Sequence, residues 1–122
     1  KKISILGLSF KPETDDMRDS PALEIIPLLL SGGAEVVAYD PAAMEEAKKL
    51  LPEEVIFAQD AEACIKSADA CVILTEWNEF RAITSAKFLK LMAGNIIVDL
   101  RNIYVPDDMR NAGVIYDSIG RA

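Results

Sequence analysis

Lys11 and Arg18 stand in a polar stretch between an apolar run at residues 3–8 and a second apolar run from Ala22 onward, which reads as the turn joining a first strand to a first helix. In a parallel sheet that turn is the usual seat of a phosphate, held on bare backbone by glycines. Here the chain continues from Gly7 as Leu8, Ser9, Phe10 and Lys11, with no G-x-G-x-x-G, so an anion would have to be held by side chains. Lys11 offers a point charge to a phosphate or a sugar hydroxyl, and a solvated loop lysine reads equally well. Arg18 is flanked by Asp15, Asp16 and Asp19, which favours an arginine held by carboxylates. The same acids lie close to a helix start, where capping or pairing with Arg18 is commoner than Mg²⁺ binding, so no metal is expected. Arg101 follows the apolar run at 95–98 and could grip a pyrophosphate bidentately or pair with Asp99 or Asp107. Trp77, the single tryptophan, either stacks on a base or covers the sheet edge. Asp40 sits where a ribose-binding acid would follow a second strand, although Asp-Pro is also an ordinary turn opener.

Composition removes several chemistries. The chain has no histidine, which excludes Ser-His, Cys-His and His-metal sites within it. Cys64 and Cys71 lie in apolar surroundings without C-x-x-C spacing and read as reduced core residues, with a cytoplasmic setting expected. Thirteen basic against twenty acidic residues give a net charge of −7, which repels a nucleic-acid backbone. No apolar stretch approaches the roughly 20 residues of a membrane span. With 122 residues, 51% hydrophobic and 27% charged, the chain reads as one globular domain.

The elements that must position these residues are legible as β-branched runs at 3–8, 35–39, 55–58, 70–74, 95–98 and 114–116, with helical stretches at 21–31, 41–51, 60–67, 85–92 and 106–111 between them. This alternation predicts an α/β, Rossmann-like three-layer sandwich around a six-stranded parallel sheet of order 3-2-1-4-5-6. Ser20 is placed to cap a helix opening at Pro21, and Gly32 with Gly33 to end it. Pro27 falls inside that helix and predicts a kink between Leu23 and Pro27. In this topology Lys11, Thr75, Trp77 and Arg101 all follow strands that end on one edge, and could line one cleft.

Four segments in order, GLSFKPETDDMRDSP at 7–21, AYDP at 38–41, LTEWNEFR at 74–81 and VDLRN at 98–102, resemble the UDP-glucose/GDP-mannose dehydrogenase family over essentially the whole chain. The first and third are the specific ones. The resemblance is to the C-terminal, UDP-binding domain of UDP-glucose 6-dehydrogenases, with the NAD domain and the central catalytic region lying outside residues 1–122. It implies an oxidoreductase that converts UDP-glucose to UDP-glucuronate with two NAD⁺ and a covalent thiohemiacetal on a cysteine. Neither Cys64 nor Cys71 stands in that cysteine's context, so no catalytic residue is assigned in this chain, and alone it is expected to be inactive. By the same resemblance Phe10 and Lys11 match the pair that contacts substrate, and Arg101 matches a substrate-contacting arginine. Arg18 matches one that reaches toward NAD bound by another domain. The remaining domains of the enzyme, and a second copy in a homodimer or higher oligomer, are the implied partners.

Leu100 departs from the glycine that many relatives carry before that arginine. Dehydrogenases of UDP-N-acetylmannosamine or GDP-mannose share the Phe-Lys-Pro region and remain alternatives. A receiver-like or nucleotide-sensing module is a different class of reading. It would want an acidic pair after strand 1, an aspartate after strand 3 and a lysine after strand 5, where this chain has Ser9 and Phe10, Ala58 to Asp60, and Arg101.

Overall fold

A computed structural model describes residues 1–9, 17 and 20–118. The sequence's apolar runs pair as a single parallel sheet, and the order is β3-β2-β1-β4-β5-β6, as expected. Its elements are β1 (Lys2–Leu6), α1 (Ala22–Ser31), β2 (Glu35–Tyr39), α2 (Met44–Leu50), β3 (Ile56–Phe57), α3 (Ala61–Ile65), β4 (Ala70–Ile73), α4 (Asn78–Arg81), α5 (Ser85–Leu91), β5 (Ile96–Asp99), α6 (Pro106–Asn111) and β6 (Ile115–Ser118). The expectation misses only α4 among these. Its four residues are a single turn, too short for a helical period to show in sequence.

Alternate residues of each strand face opposite layers. Ile5, Val36 and Ala38 pack with Ala22, Ile26 and Ala47 of α1 and α2 on one face. Val37, Cys71, Ile73, Ile97 and Tyr116 pack with Cys64, Ile65, Phe88 and Met109 of α3, α5 and α6 on the other. Cys64 and Cys71 are free and buried. Burial pushes the Cys64 thiol up to about 12 and raises Cys71 well above its ordinary value.

Helix α1 is pinned at both ends. The Ser20 hydroxyl accepts from Ala22 N–H at 3.2 Å and donates to the Leu8 carbonyl at 2.5 Å, so one side chain caps the helix and ties it to the end of β1. At the other end Gly33, at φ +90°, donates to Leu30 O while Ala34 donates to Leu29 O. This is the paired closure that needs a left-handed residue. Pro27 does not end the helix, which runs from Ala22 through Ser31 with Leu23, Ile26, Leu29 and Leu30 turned inward or half-buried.

Candidate functional site: two clamped loops at one sheet edge

All six strands run the same way, so the loops after β1, β2, β4 and β5 open on one edge, with β1 and β5 on either side of β4. Phe10, Lys11 and Arg18 lie outside the described residues. The described part of their loop, Gly7 to Ser9, shows how it leaves the sheet.

Gly7 takes φ +97° and donates to the Tyr39 carbonyl at 2.8 Å. A Cβ on Gly7 would come within 2.5 Å of Thr75 Cβ and Oγ1 and 2.7 Å of Thr75 N, so the end of β1 crosses directly against the end of β4. Thr75 completes the crossing by donating its hydroxyl to Ser9 O at 2.7 Å.

The carboxylate of Asp40, at the end of β2, lies under the same loop with no solvent exposure. Its Oδ2 accepts from Leu8 N–H at 2.8 Å, Ser9 N–H at 3.1 Å, Ser9 Oγ at 3.2 Å and Trp77 Nε1 at 3.3 Å. Its Oδ1 accepts from Ala42 and Ala43 N–H at 2.8 and 2.9 Å, which opens the turn into α2. The turn-opening role is therefore real, but it accounts for one oxygen only. The other holds the first residues of the β1–α1 loop.

Asp99, at the end of β5, is the second such carboxylate. It is fully buried and accepts from the backbone of Arg101 at 2.9 Å, Ile103 at 2.8 Å and Tyr104 at 3.3 Å, and from the Tyr116 hydroxyl at 2.6 Å. The turn it organises is completed by Asn102 at φ +58° and by the Tyr104 hydroxyl, which donates to Phe80 O at the end of α4. Leu100 donates to Ile73 O at 3.0 Å, and Asn102 is the turn residue with positive φ, so a leucine in place of glycine costs no strained backbone. Burial raises the Tyr104 hydroxyl pKa far above its ordinary value, which keeps it a donor.

The Arg101 guanidinium is half-buried and, among the described residues, pairs with Glu76 at 3.9 Å and not with Asp99 or Asp107. Asp99 cannot serve, because its oxygens already face backbone N–H groups and Tyr116. At that distance and exposure the pair contributes about 0–1 kcal/mol, so an anionic ligand could compete for the guanidinium. Glu76 comes from the loop after β4, the strand beside β5.

Thr75 and Trp77 were expected to line the cleft. Thr75 has no exposed surface and Trp77 is 8% exposed, with their polar groups committed to Ser9 and Asp40. In this structure both support the loops from beneath. Phe80 of α4, fully buried and edge-on to Tyr39 at 6.3 Å, anchors the segment that follows. Tyr39 is itself raised to about 12 by burial first and then by a hydrogen bond to Glu79. The nearby groove of about 420 Å³ is lined by Asp60, Glu62, Glu79 and Lys87, an acidic balance unsuited to a pyrophosphate.

The described residues do not offer NAD the usual ribose acid: Asp40, in that position, has both oxygens engaged inside the protein. Among the described residues no three His, Cys, Asp or Glu side chains gather as metal ligands, and no helix is long and apolar enough to cross a membrane.

Residues 4–106 match the UDP-glucose/GDP-mannose dehydrogenase family, UDP binding domain. UDP-glucose 6-dehydrogenase of Rhizobium meliloti (strain 1021) is 50% identical over 120 residues, spanning 98% of this chain and 27% of its own length. Among solved structures, an NDP-N-acetyl-D-galactosaminuronic acid dehydrogenase from Methanosarcina mazei Go1 superposes with a TM-score of 0.85 at 30% identity, covering 98% of this chain and 24% of that one. A UDP-glucose dehydrogenase from Pyrobaculum islandicum gives 0.79 at 31% identity, covering 99% and 26%. The chain thus spans about a quarter of the length of these three relatives.

Proposed function

Because the chain belongs to the UDP-glucose/GDP-mannose dehydrogenase family and matches its UDP binding domain, we propose that it holds the nucleotide sugar of an NAD-dependent UDP-glucose 6-dehydrogenase. It is the C-terminal domain of that enzyme, and the NAD domain and the central region with the reacting cysteine belong to polypeptide outside residues 1–122. NAD supplies the oxidation of the sugar C6 alcohol to a carboxylate. The residues of this chain bind and orient.

In this reading Arg101 faces the diphosphate and Lys11 the sugar, with Phe10 beside it, while Arg18 reaches across the cleft toward the cofactor. The observation that supports the reading most is the pair of buried carboxylates. Asp40 fixes the backbone that launches Phe10 and Lys11, and Asp99 fixes the backbone that carries Arg101. Preorganised donors lose little on meeting a charged ligand, because their placement is already set by folding. Cys64 and Cys71 stay protonated at neutral pH and buried, so neither supplies a thiolate nucleophile.

Calorimetric titration of the chain with UDP, UDP-glucose and GDP-mannose tests the proposal. UDP and UDP-glucose are expected to bind, weakly because the rest of the site lies elsewhere, and GDP-mannose more weakly still. Silence toward all three would remove the substrate role, and a preference for GDP-mannose would move the domain to the other branch of the family.

A further inference from the structure

A single helical turn is not stable by itself in water, so the four residues of α4 must be held by what they touch. The cap position is taken by Trp77, where serine, threonine or aspartate would be usual, and Trp77 makes no side-chain cap bond. Its indole N–H goes instead to Asp40 Oδ2 at 3.3 Å, the oxygen that also takes the N–H groups of Leu8 and Ser9. At the other end of the turn the Phe80 carbonyl accepts from Ile83 N–H at 3.0 Å and from the Tyr104 hydroxyl. Tyr104 belongs to the turn of Arg101, where its own N–H is donated to Asp99 Oδ2 at 3.3 Å.

Helix α4 therefore has one end on the loop that Asp40 clamps and the other on the turn that Asp99 clamps. The links between those ends are stiff. Trp77 O accepts from Phe80 N–H at 3.0 Å and from Arg81 N–H at 3.3 Å, which closes the helical turn. Phe80 is fully buried, with its ring edge-on to that of Tyr39, the neighbour of Asp40 in sequence. The Tyr104 ring sits edge-on to Phe88 at 5.9 Å and to Tyr116 at 6.5 Å. Packed rings and hydrogen bonds of this kind carry a shift at one end to the other. Inside its own turn Tyr104 is held through its N–H, whereas its hydroxyl reaches out of the turn to α4.

We propose that α4 is a strut between the two clamped loops of this sheet edge, with Trp77 and Tyr104 as positioning residues that set the turn of Arg101 at a fixed spacing from Leu8 and Ser9. Loosening either loop then loosens the other. A ligand that spans both loops meets groups already at their mutual spacing, and losing that spacing costs affinity. This last consequence rests on the domain's proposed role in holding a nucleotide sugar. The coupling itself does not.

Amide hydrogen exchange in the intact enzyme tests the strut, using Tyr104→Phe, which removes one hydroxyl and keeps the ring. The Leu8 and Ser9 amides are expected to exchange at least about threefold faster than in the parent, the scale of one net hydrogen bond, while the Ala47 amide of α2 keeps its rate. Tyr116→Phe takes a hydroxyl from Asp99 but leaves the bond between Tyr104 and Phe80 in place. It is expected to speed exchange at Ile103 and to leave Leu8 and Ser9 unchanged. Leu8 and Ser9 unmoved in Tyr104→Phe would overturn the proposal. So would an equal response to Tyr116→Phe, which would assign the coupling to the sheet. Should Tyr104→Phe fail to fold, Trp77→Phe reads the same coupling from the other end, at the Ile103 and Tyr104 amides. KM for UDP-glucose is recorded alongside, with Arg101→Ala for comparison, and Tyr104→Phe is expected to raise it at least about threefold with kcat kept. A KM raised by Arg101→Ala but not by Tyr104→Phe would overturn the positioning role. A KM unmoved in both would count against the proposed substrate, and the exchange rates would still decide the strut.

Discussion

A carboxylate with no solvent exposure is tolerable only when its lone pairs meet donors, and Asp40 and Asp99 meet theirs in the backbone of two loops. Asp40→Ala would strand the N–H groups of Leu8, Ser9, Ala42 and Ala43 and the Trp77 indole. A loss of about 3 kcal/mol or more is expected in a urea melt, with Asp40→Asn milder because it keeps one acceptor. Sequence reasoning saw Asp40 only as a turn opener or a ribose acid, and Asp99 only as a possible partner for Arg101. The missing signal was their shared position, an aspartate as the last residue of a strand or the first beyond it, with a loop of the same sheet edge nearby. What no pattern could reveal is that Leu8 and Trp77, distant in sequence from Asp40, would converge on the same oxygen.

The buried thiol of Cys64 gives a pH prediction whose sign follows from linkage. Its folded pKa, about 12, lies above the ordinary thiol value of 9.0, so the folded state holds a proton that the unfolded chain releases first. Stability from this group is complete below about pH 9 and declines as pH rises toward 12. Its share of the slope is at most about 1.4 kcal/mol per pH unit. Denaturant melts across that range should fall less steeply for Cys64→Ala than for the parent, and parallel curves would contradict the assignment.

At the scale of elements, the strands and five of the helices were readable because apolar runs and their punctuation carry them, from Ser20 before α1 to Gly33 after it. The turns at the sheet edge were not, because their geometry depends on contacts between strands. Gly7 is the clearest case. Its sequence context suggested a phosphate turn that had lost two glycines, whereas the structure uses it to pass β1 across Thr75. Gly7→Ala should therefore destabilise far more than Gly33→Ala. Both sit at positive φ, at a cost of about 1–2 kcal/mol, but only at Gly7 does the added carbon strike backbone and side chain of β4, since nothing lies within 4 Å of it at Gly33. Urea midpoints of the two variants measure the difference, and equal midpoints would mean that β1 and β4 can part without penalty. The faces of β4 to β6 belong to this scale too. The alternation of strands and helices predicted helices on both faces, and among the described residues Ile96 and Ile115 on the second face are left exposed.

For the whole molecule, the sheet order sets what the edge can do. By placing β4 between β1 and β5, it brings Leu8 and Ser9 at the start of the first loop and the turn of Arg101 to the two sides of one strand end, with Thr75 and Trp77 beneath. The backbone at Leu8 and Ser9 and the turn from Arg101 to Tyr104 are held from inside the protein, so under the proposed function a nucleotide sugar would meet side chains launched from settled backbone. The central claim is that Lys11 and Arg101 recognise the substrate and do not hold the fold. The most direct test is kcat/KM for UDP-glucose in the intact enzyme carrying Lys11→Ala or Arg101→Ala, with thermal unfolding recorded alongside. Each variant is predicted to lose about a hundredfold, the worth of one charge-assisted contact of 1.5–3 kcal/mol, with its melting temperature preserved. Unchanged kcat/KM in both variants would contradict the account.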